Sequence, residues 1–139
     1  MNIKVSSTTN LDLLSFLTSH GFNVELLSEQ VFKVNKNDEL PVFLSHNDGV
    51  LYFEVDIGPL NSMLDSQDGG LNTFFLTQLL DMNTDILPVS FAINSTNPND
   101  QRLVLVESRI VGDLSDEEIL SVFTALELAT DKIERVLTK

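Results

Sequence analysis

The first part of the sequence has apolar residues at helical spacing, and several short β-prone runs follow that segment. Leu11, Leu14 and Leu17 predict a helix over residues 10–20 that ends at Gly21. The β-prone runs are separated by polar turn residues and lie at residues 22–27, 31–34, 42–44 and 50–57. We expect these four runs to pair as an antiparallel meander.

The tripeptide Asn47-Asp48-Gly49 is the strongest turn signal within the meander. Asp or Asn followed by Gly tolerates the positive φ angles that tight hairpins require. We therefore predict a hairpin between the third and fourth strands. Gly58-Pro59 is expected to interrupt the fourth strand, and residues 60–64 are expected to form a turn of helix.

The apolar spacing in the middle of the chain predicts a second helix over residues 72–82. We expect this helix to be deeply buried because it is strongly apolar. Its apolar residues at helical spacing are Phe75, Leu76, Leu79 and Leu80. Two strands are predicted next, over residues 89–93 and 102–111, joined by a turn that contains Asn-Pro-Asn-Asp.

The last predicted strand has no cleanly polar face. Alternate residues of a strand point to opposite sides of a sheet, so Leu103, Leu105 and Glu107 share one face. The residues that share the other face are Arg102, Val104, Val106 and Ser108.

The final segment carries the clearest helix signal. Ser115-Asp116-Glu117-Glu118 is a capping box, and basic residues gather near the other end, which predicts a helix over residues 115–137. Its apolar stripe comprises Ile119, Phe123, Leu126, Ile133 and Leu137. No repeat or linker interrupts the chain, so the pattern predicts one α+β domain over residues 1–139.

Charge narrows the range of partners. The 139 residues include 21 acidic and 8 basic side chains, which give a formal net charge of −13. Such a field repels nucleic-acid phosphates and anionic lipid headgroups, so we expect no nucleic-acid binding. The first ten residues have no apolar run of secretory length, and no run of 18 apolar residues occurs. We therefore expect a cytoplasmic protein without membrane insertion.

The sequence contains no familiar catalytic, metal-binding or phosphate-binding motif. The chain has two histidines and no cysteine, and His20 and His46 lack the spacing of zinc ligands, so we interpret both as structural. Ser45-His46-Asn47-Asp48 contains the residue types of a hydrolytic triad, but triad members face each other across a fold. Phosphate-binding loops and hydrolase motifs are absent from the sequence. We expect no enzyme activity and no cofactor.

Weaker acidic and basic patterns also have structural interpretations. Residues 65–76 resemble a calcium loop, but Gly69 and Leu76 occupy positions that require oxygen ligands. Glu54 and Asp56 share a strand face, which we interpret as solvated. Arg102 and Arg109 either steer an acidic partner or pair with nearby carboxylates, and we favour the pairing.

The order of helix, four-strand meander, helix, hairpin and long helix resembles the type III secretion chaperone-like fold. Secretion chaperones of the CesT kind and YbjN-like proteins share that fold. Several stretches are also similar to the YjfI-like family of bacterial proteins. They are Phe74-Phe75-Leu76-Thr77-Gln78-Leu79-Leu80, Ile86-Leu87-Pro88-Val89-Ser90-Phe91-Ala92-Ile93, Leu103-Val104-Leu105-Val106-Glu107-Ser108, and Leu114-Ser115 with Glu118-Ile119.

These resemblances imply a function in binding other proteins and bring no catalytic residues. YjfI-like proteins are often encoded beside relatives of phage-shock protein A, which implies a protein partner in envelope-stress machinery. The secretion chaperones of this fold are homodimers that hold effector segments against apolar faces. A similar arrangement here implies an interaction surface that includes Leu71, Phe74, Val104 and Val106.

The sequence therefore favours a non-enzymatic, homodimeric protein-interaction module that is chaperone-like or regulatory. One alternative is a small-ligand binder, or an enzyme of an unrecognised type, with a pocket between the meander and the second helix. Another is a dedicated secretion chaperone for one effector.

Overall fold

The computed structural model describes residues 10–36, 39–64, 73–110 and 115–137. In chain order it contains helix α1 (Asn10–Ser19), strands β1 (Asn23–Ser28), β2 (Val31–Asn35), β3 (Val42–Asn47) and β4 (Val50–Pro59), helices α2 (Leu60–Leu64) and α3 (Thr73–Met82), strands β5 (Ser90–Asn94) and β6 (Arg102–Ile110), and helix α4 (Asp116–Leu137). The predicted α+β class and order of elements are confirmed.

The six strands form one sheet in the order β1-β2-β3-β4-β6-β5, and all neighbouring strands are antiparallel. The predicted meander supplies β1 to β4, and the hairpin β5–β6 joins it through β6. The two longest strands, β4 and β6, pair with each other, and both are interior strands of the sheet.

The hairpin between β3 and β4 turns through two residues, as predicted. Asn47 pairs with Val50, and the residues between them have positive φ angles, 51° at Asp48 and 76° at Gly49. Two consecutive left-handed residues define the hairpin turn whose twist matches that of its flanking strands. The Asp-Gly dipeptide adopts this conformation at low cost and fixes the register of the hairpin.

Gly58 bends β4 without ending it, contrary to the prediction of an interruption. The pairing with β6 shifts register between Asp56 and Gly58 and then continues to Pro59. Gly58 has a φ of 151°, and a Cβ atom there would lie 2.9 Å from Cε of Met63. The bulge therefore needs glycine both for its backbone conformation and for space.

One face of the sheet, the inner face, packs against α1 and α4. Phe53 of β4 and Phe123 of α4 meet edge to face at 5.6 Å, and Phe22 contacts the same Phe123 ring at 4.7 Å. The fully buried members of this cluster include Leu13, Leu17, Phe32, Leu44, Leu51, Phe53, Leu105, Ile119 and Leu126. Within the predicted apolar stripe of the last helix, Ile119, Phe123 and Leu126 therefore cover the sheet, whereas Leu137 is 38% exposed and does not join the core.

A second, smaller cluster joins α2, α3 and the end of α4. It contains Leu60, Phe75, Leu79, Leu103 and Ile133. The expected deep burial of the second predicted helix was wrong for one side, since Leu80 is 69% exposed and Phe74 is 78% exposed. Helix α3 lies at the margin of the core and contributes only one face to it.

The opposite face of the sheet, the outer face, contributes no strand residue to either cluster. Its charged groups pair within the sheet. Glu54 accepts hydrogen bonds from Nδ2 of Asn94 at 3.2 and 3.3 Å, and Arg102 donates to Asp56 at 3.1 Å. The pairing interpretation of Arg102 and the placement of Glu54 and Asp56 on one face are both confirmed.

Glu107 is a carboxylate buried on the inner face, next to the apolar residues of β6. Its Oε1 lies 2.6 Å from Nη2 of Arg109, whose side chain is partly exposed. Its Oε2 is buried and has no hydrogen-bond partner among the residues that the structure describes. The Arg109 guanidinium is therefore the main compensation for the buried negative charge.

Replacing Arg109 by Met should destabilise the fold strongly. We expect a loss of about 2–3 kcal/mol in the free energy of unfolding, below the cost for a fully buried pair because Arg109 reaches solvent. Arg102→Met is the control, since its partners Asp56 and Asp100 are more exposed, and its loss should be clearly smaller. Urea unfolding measures both, and equal losses would contradict the assignment.

The serine half of the predicted capping box forms at the start of α4. The Ser115 hydroxyl accepts a hydrogen bond from the Glu118 backbone N–H at 3.2 Å, and its oxygen lies 3.3 Å from Oε1 of Glu118. This contact satisfies one of the amide groups that the first helical turn leaves without an intrahelical partner.

Ser115→Ala should lower the free energy of unfolding by about 1 kcal/mol, because the Glu118 amide loses its acceptor. Ser121→Ala removes a hydroxyl from an exposed position inside the same helix, where alanine has the higher helix propensity, and should cause no loss. Thermal or urea unfolding of the two variants separates capping from a general effect of removing a serine hydroxyl.

Candidate functional site: an exposed apolar surface and an acidic cavity

The outward side of α3 presents large apolar side chains to solvent. Phe74 and Leu80 lie on this side, whereas Phe75 and Leu79 point into the second cluster. We call Phe74 and Leu80 the α3 face. An exposed phenylalanine and leucine on one short helix are unfavourable in water unless another surface covers them.

A groove lies between the α3–β5 connection and α4. Leu87 on one wall is 70% exposed, and Leu128 on the other wall is 64% exposed. The groove has a volume of about 340 Å³, and its remaining lining residues are Asp85, Ile86, Ala125, Ala129, Lys132 and Arg135. We call it the Leu87–Leu128 groove. Two basic side chains line it, in a chain that has only 8 lysine and arginine residues.

The predicted interaction residues do not form one surface. Val104 lies on the outer face of the sheet and is only 2% exposed, so it is not available to a partner and its expected exposure is corrected. Val106 is half-buried on the same outer face. Phe74 is exposed on α3, which packs against the inner-face residue Leu103. Leu71 lies outside the described residues.

Sequence reasoning missed the groove, although one signal for it was present. Leu128 falls outside the apolar stripe of α4, between Glu127 and Ala129, and an isolated leucine there has no core to enter. Leu87 lies next to Pro88 in a connection, where periodicity carries no information. The contact between these two segments depends on tertiary structure alone.

A cavity of about 250 Å³ lies between the meander and α4. Its floor is a row of valines on three neighbouring strands, because Val34 pairs with Val42 and Val42 pairs with Val55. Phe123 and Leu126 of α4 also line it. A pocket had been expected between the meander and the second predicted helix, which is α3, but this cavity adjoins α4 instead.

Charged and polar side chains line the mouth of the cavity. They are His20, Asn35, Lys36, Glu39, Thr124 and Glu127. The Lys36 ammonium lies 5.5 Å from the centre of the Phe22 ring, within range of a cation–π interaction. His20 Nδ1 lies 2.9 Å from the Phe16 carbonyl oxygen at the end of α1, in keeping with its structural interpretation.

The carboxylates at the mouth repel one another. The pKa of Glu39 is raised above its usual range because nearby protein atoms reduce its hydration, and because Glu127 and Asp131 add negative charge. The proximity of the Glu39 and Glu127 side chains adds to this rise in the pKa of Glu39. The mouth therefore has a local excess of negative charge.

The structure assembles no catalytic or metal site, within the described residues, from the other motifs considered in the sequence. His46 lies in β3, where its backbone N–H donates to the Gln30 carbonyl oxygen at 3.1 Å. No group of three His, Asp or Glu side chains within the described ranges is placed to hold a metal ion. The sequence that resembles a calcium loop begins at residues 65–72, outside those ranges.

Two solved structures share the arrangement of elements. A chain of the heterodimeric ExoU–SpcU complex, from the type III secretion system of Pseudomonas aeruginosa, aligns with a TM-score of 0.63 and 18% identity over 85% of this chain and 91% of that chain. The crystal structure of YbjN from E. coli aligns with a TM-score of 0.65 and 16% identity over 94% of this chain and 90% of that chain.

The fold is type III secretion chaperone-like. At this level of identity the likeness establishes the chaperone-like fold alone. No family model matches the sequence. No curated protein matches it either. The resemblance to YjfI-like proteins, and with it the phage-shock connection, is not supported by these comparisons.

Within residues 10–36, 39–64, 73–110 and 115–137, the protein has no helix that is long and apolar enough to cross a bilayer.

Glu39→Gln should stabilise the protein at pH 7. A carboxyl group whose pKa is raised in the folded state favours folding when it is protonated, so its ionisation costs stability as the pH rises through that pKa. The variant should therefore melt at a higher temperature than the wild type at pH 7, and the difference should shrink toward about pH 4. Glu25→Gln, on the outer face opposite Lys33, is the control. Identical melting temperatures for Glu39→Gln and the wild type at pH 7 would contradict this interpretation.

Proposed function

We propose that this protein is a non-enzymatic protein-interaction module that binds an apolar segment of another protein in the Leu87–Leu128 groove. The observation that carries the proposal is the pair of exposed leucines facing one groove on the helical side of the sheet. The chaperone-like fold supports it, because one of the similar chains comes from a heterodimeric protein complex.

Burial of the groove leucines supplies a driving force of useful size. Covering an exposed leucine completely contributes about 1.5–3 kcal/mol, so two leucines contribute about 3–6 kcal/mol toward the roughly 8 kcal/mol of a micromolar interaction. The other contacts in the groove supply the remainder and offset the costs of association. Ile86, Ala125 and Ala129 extend the apolar lining of the groove. Alanine at two of these positions leaves room for a partner's side chains.

Charge at the groove favours one type of segment. Lys132 and Arg135 line it from α4, and Asp85 lines it from the α3–β5 connection. With a formal net charge of −13, the protein as a whole attracts basic partners, whereas Lys132 locally favours an acidic residue. The matching segment is apolar, with an acidic residue on the side that faces α4.

A homodimer through the α3 face is the second part of the proposal. Phe74 and Leu80 are exposed and separate from the groove residues, so a second copy can cover them while the groove stays open. Contact around a two-fold axis would bring each α3 face against its counterpart. This part rests on exposed apolar area and has its own test below.

Two narrower functions fit the same surface. A dedicated secretion chaperone would bind one effector segment in the groove, and a regulatory module would bind a phage-shock protein A-like partner. The identity of the bound protein separates these two functions, so the first experiment recovers it directly.

Affinity purification from the native host tests the groove. We expect the wild type to retain a stoichiometric partner, and Leu87→Ser/Leu128→Ser to lose at least about ten-fold of that binding, because both apolar anchors are removed. The matched control is Leu26→Ser/Leu27→Ser, which removes two exposed leucines from the β1 edge and should retain the partner. Mass spectrometry identifies the partner, and titration of the purified pair measures the affinities. Equal affinity of the groove variant, or no partner for the wild type, would overturn the proposal.

Size-exclusion chromatography with light scattering tests the dimer. The wild type should have twice the mass of one chain, and Phe74→Ser/Leu80→Ser should have the mass of one chain, because the shared apolar contact is lost. The groove variant serves here as the control and should remain dimeric. A monomeric wild type would rule out the homodimer and leave the groove proposal standing.

A further inference from the structure

We propose that the cavity between the meander and α4 binds a small organic cation, an amine joined to a compact apolar body. The cavity shares no lining residue with the Leu87–Leu128 groove, so this binding is independent of the proposed protein interaction. Its walls, its mouth and one buried hydroxyl each point to this class of ligand.

The walls select an apolar body. Val34, Val42 and Val55 form a continuous row across three strands, and each is buried. Short β-branched side chains in this row leave space beneath Phe123 and Leu126. An engineered cavity of about 150 Å³ with an apolar lining holds benzene, so 250 Å³ suits an apolar body of about six to ten carbon atoms.

The mouth selects a positive charge. Glu39 and Glu127 both line it, and Asp131 and Glu134 add to the negative potential felt by Glu39. Lys36 is the lining ammonium, and it lies against the face of the Phe22 ring. An amine placed between Glu39 and Glu127 would replace their mutual repulsion with two attractions, whereas an anionic ligand would add to the repulsion.

A buried hydroxyl supplies a polar contact inside the cavity. Thr130 is 4% exposed and lines the cavity, and its hydroxyl donates to the Leu126 carbonyl oxygen at 2.8 Å. That bond uses the hydroxyl proton and leaves oxygen lone pairs that can accept. The polar group inside the cavity therefore offers an acceptor, which matches an N–H donor on the ligand.

Three probes of one shape separate the contributions of apolar body and charge. They are cyclohexylmethylamine, cyclohexylmethanol and cyclohexanecarboxylate, which are positive, neutral and negative at pH 7. Titrations followed by nuclear magnetic resonance should show saturable shifts at Val42 and Thr130 with the amine. We expect the amine to bind about ten-fold more tightly than the alcohol, and the carboxylate to bind more weakly than either. Equal affinities, no saturation by the amine, or shifts confined to other residues would overturn the proposal.

Variants of the mouth and of the walls measure separately how much each contributes to binding. Glu39→Gln/Glu127→Gln should reduce the preference for the amine over the alcohol to less than about two-fold, since each exposed charge contributes modestly and both are removed. Glu25→Gln on the outer face should preserve the preference. Val42→Phe should abolish binding of both probes, because the larger side chain fills the cavity. If Val42→Phe does not fold, Val42→Ile replaces it; this variant fills less of the cavity and should weaken the binding of both probes.

The groove variant separates this proposal from the proposed function. Leu87→Ser/Leu128→Ser should bind the amine as the wild type does, because none of its altered positions lines the cavity. Loss of amine binding in that variant, or retention of full binding in folded Val42→Phe, would show that the ligand sits elsewhere.

Discussion

The contact of α4 with the inner face of the sheet is the constraint on which the rest of the structure depends. Phe123 meets Phe53 near the start of the helix, and Ile133 joins the second cluster near its end. One helix therefore closes both clusters, and without it the apolar side of every central strand would face water. The energetic importance of α4 explains why its N-terminus has both a serine cap and acidic residues in the first turn.

The same helix positions both candidate sites. At 3.6 residues per turn, Phe123, Glu127 and Thr130 fall on one flank of the core stripe, and they line the cavity. Leu128 and Lys132 fall on the other flank and line the groove. One helix thus lines an acidic site on one flank and a partly basic site on the other, and the two sites share no lining residue.

Local chemistry made much of the fold predictable. The Asp48-Gly49 turn, the Ser115 cap and the alternation along β6 all act through neighbours in sequence, and the structure has each as predicted. Burial was less predictable because it depends on distant segments. Leu80 belongs to an apolar run but lies on the side of α3 away from the core, and Val104 is buried although it belongs to neither core cluster. The cavity forms only where three strands and α4 come together, so the local sequence pattern of any one segment does not predict it.

The position of α4 in the chain has a consequence for synthesis on the ribosome. It is the last of the described elements to be made, so α1 and all six strands emerge before the helix that covers them. During that interval the inner face of the sheet presents Phe32, Phe53 and their apolar neighbours to the surroundings. Nascent chains with uncovered β-strands are prone to associate with one another. During translation this protein therefore depends on rapid docking of α4, or on protection by other factors, until that helix arrives.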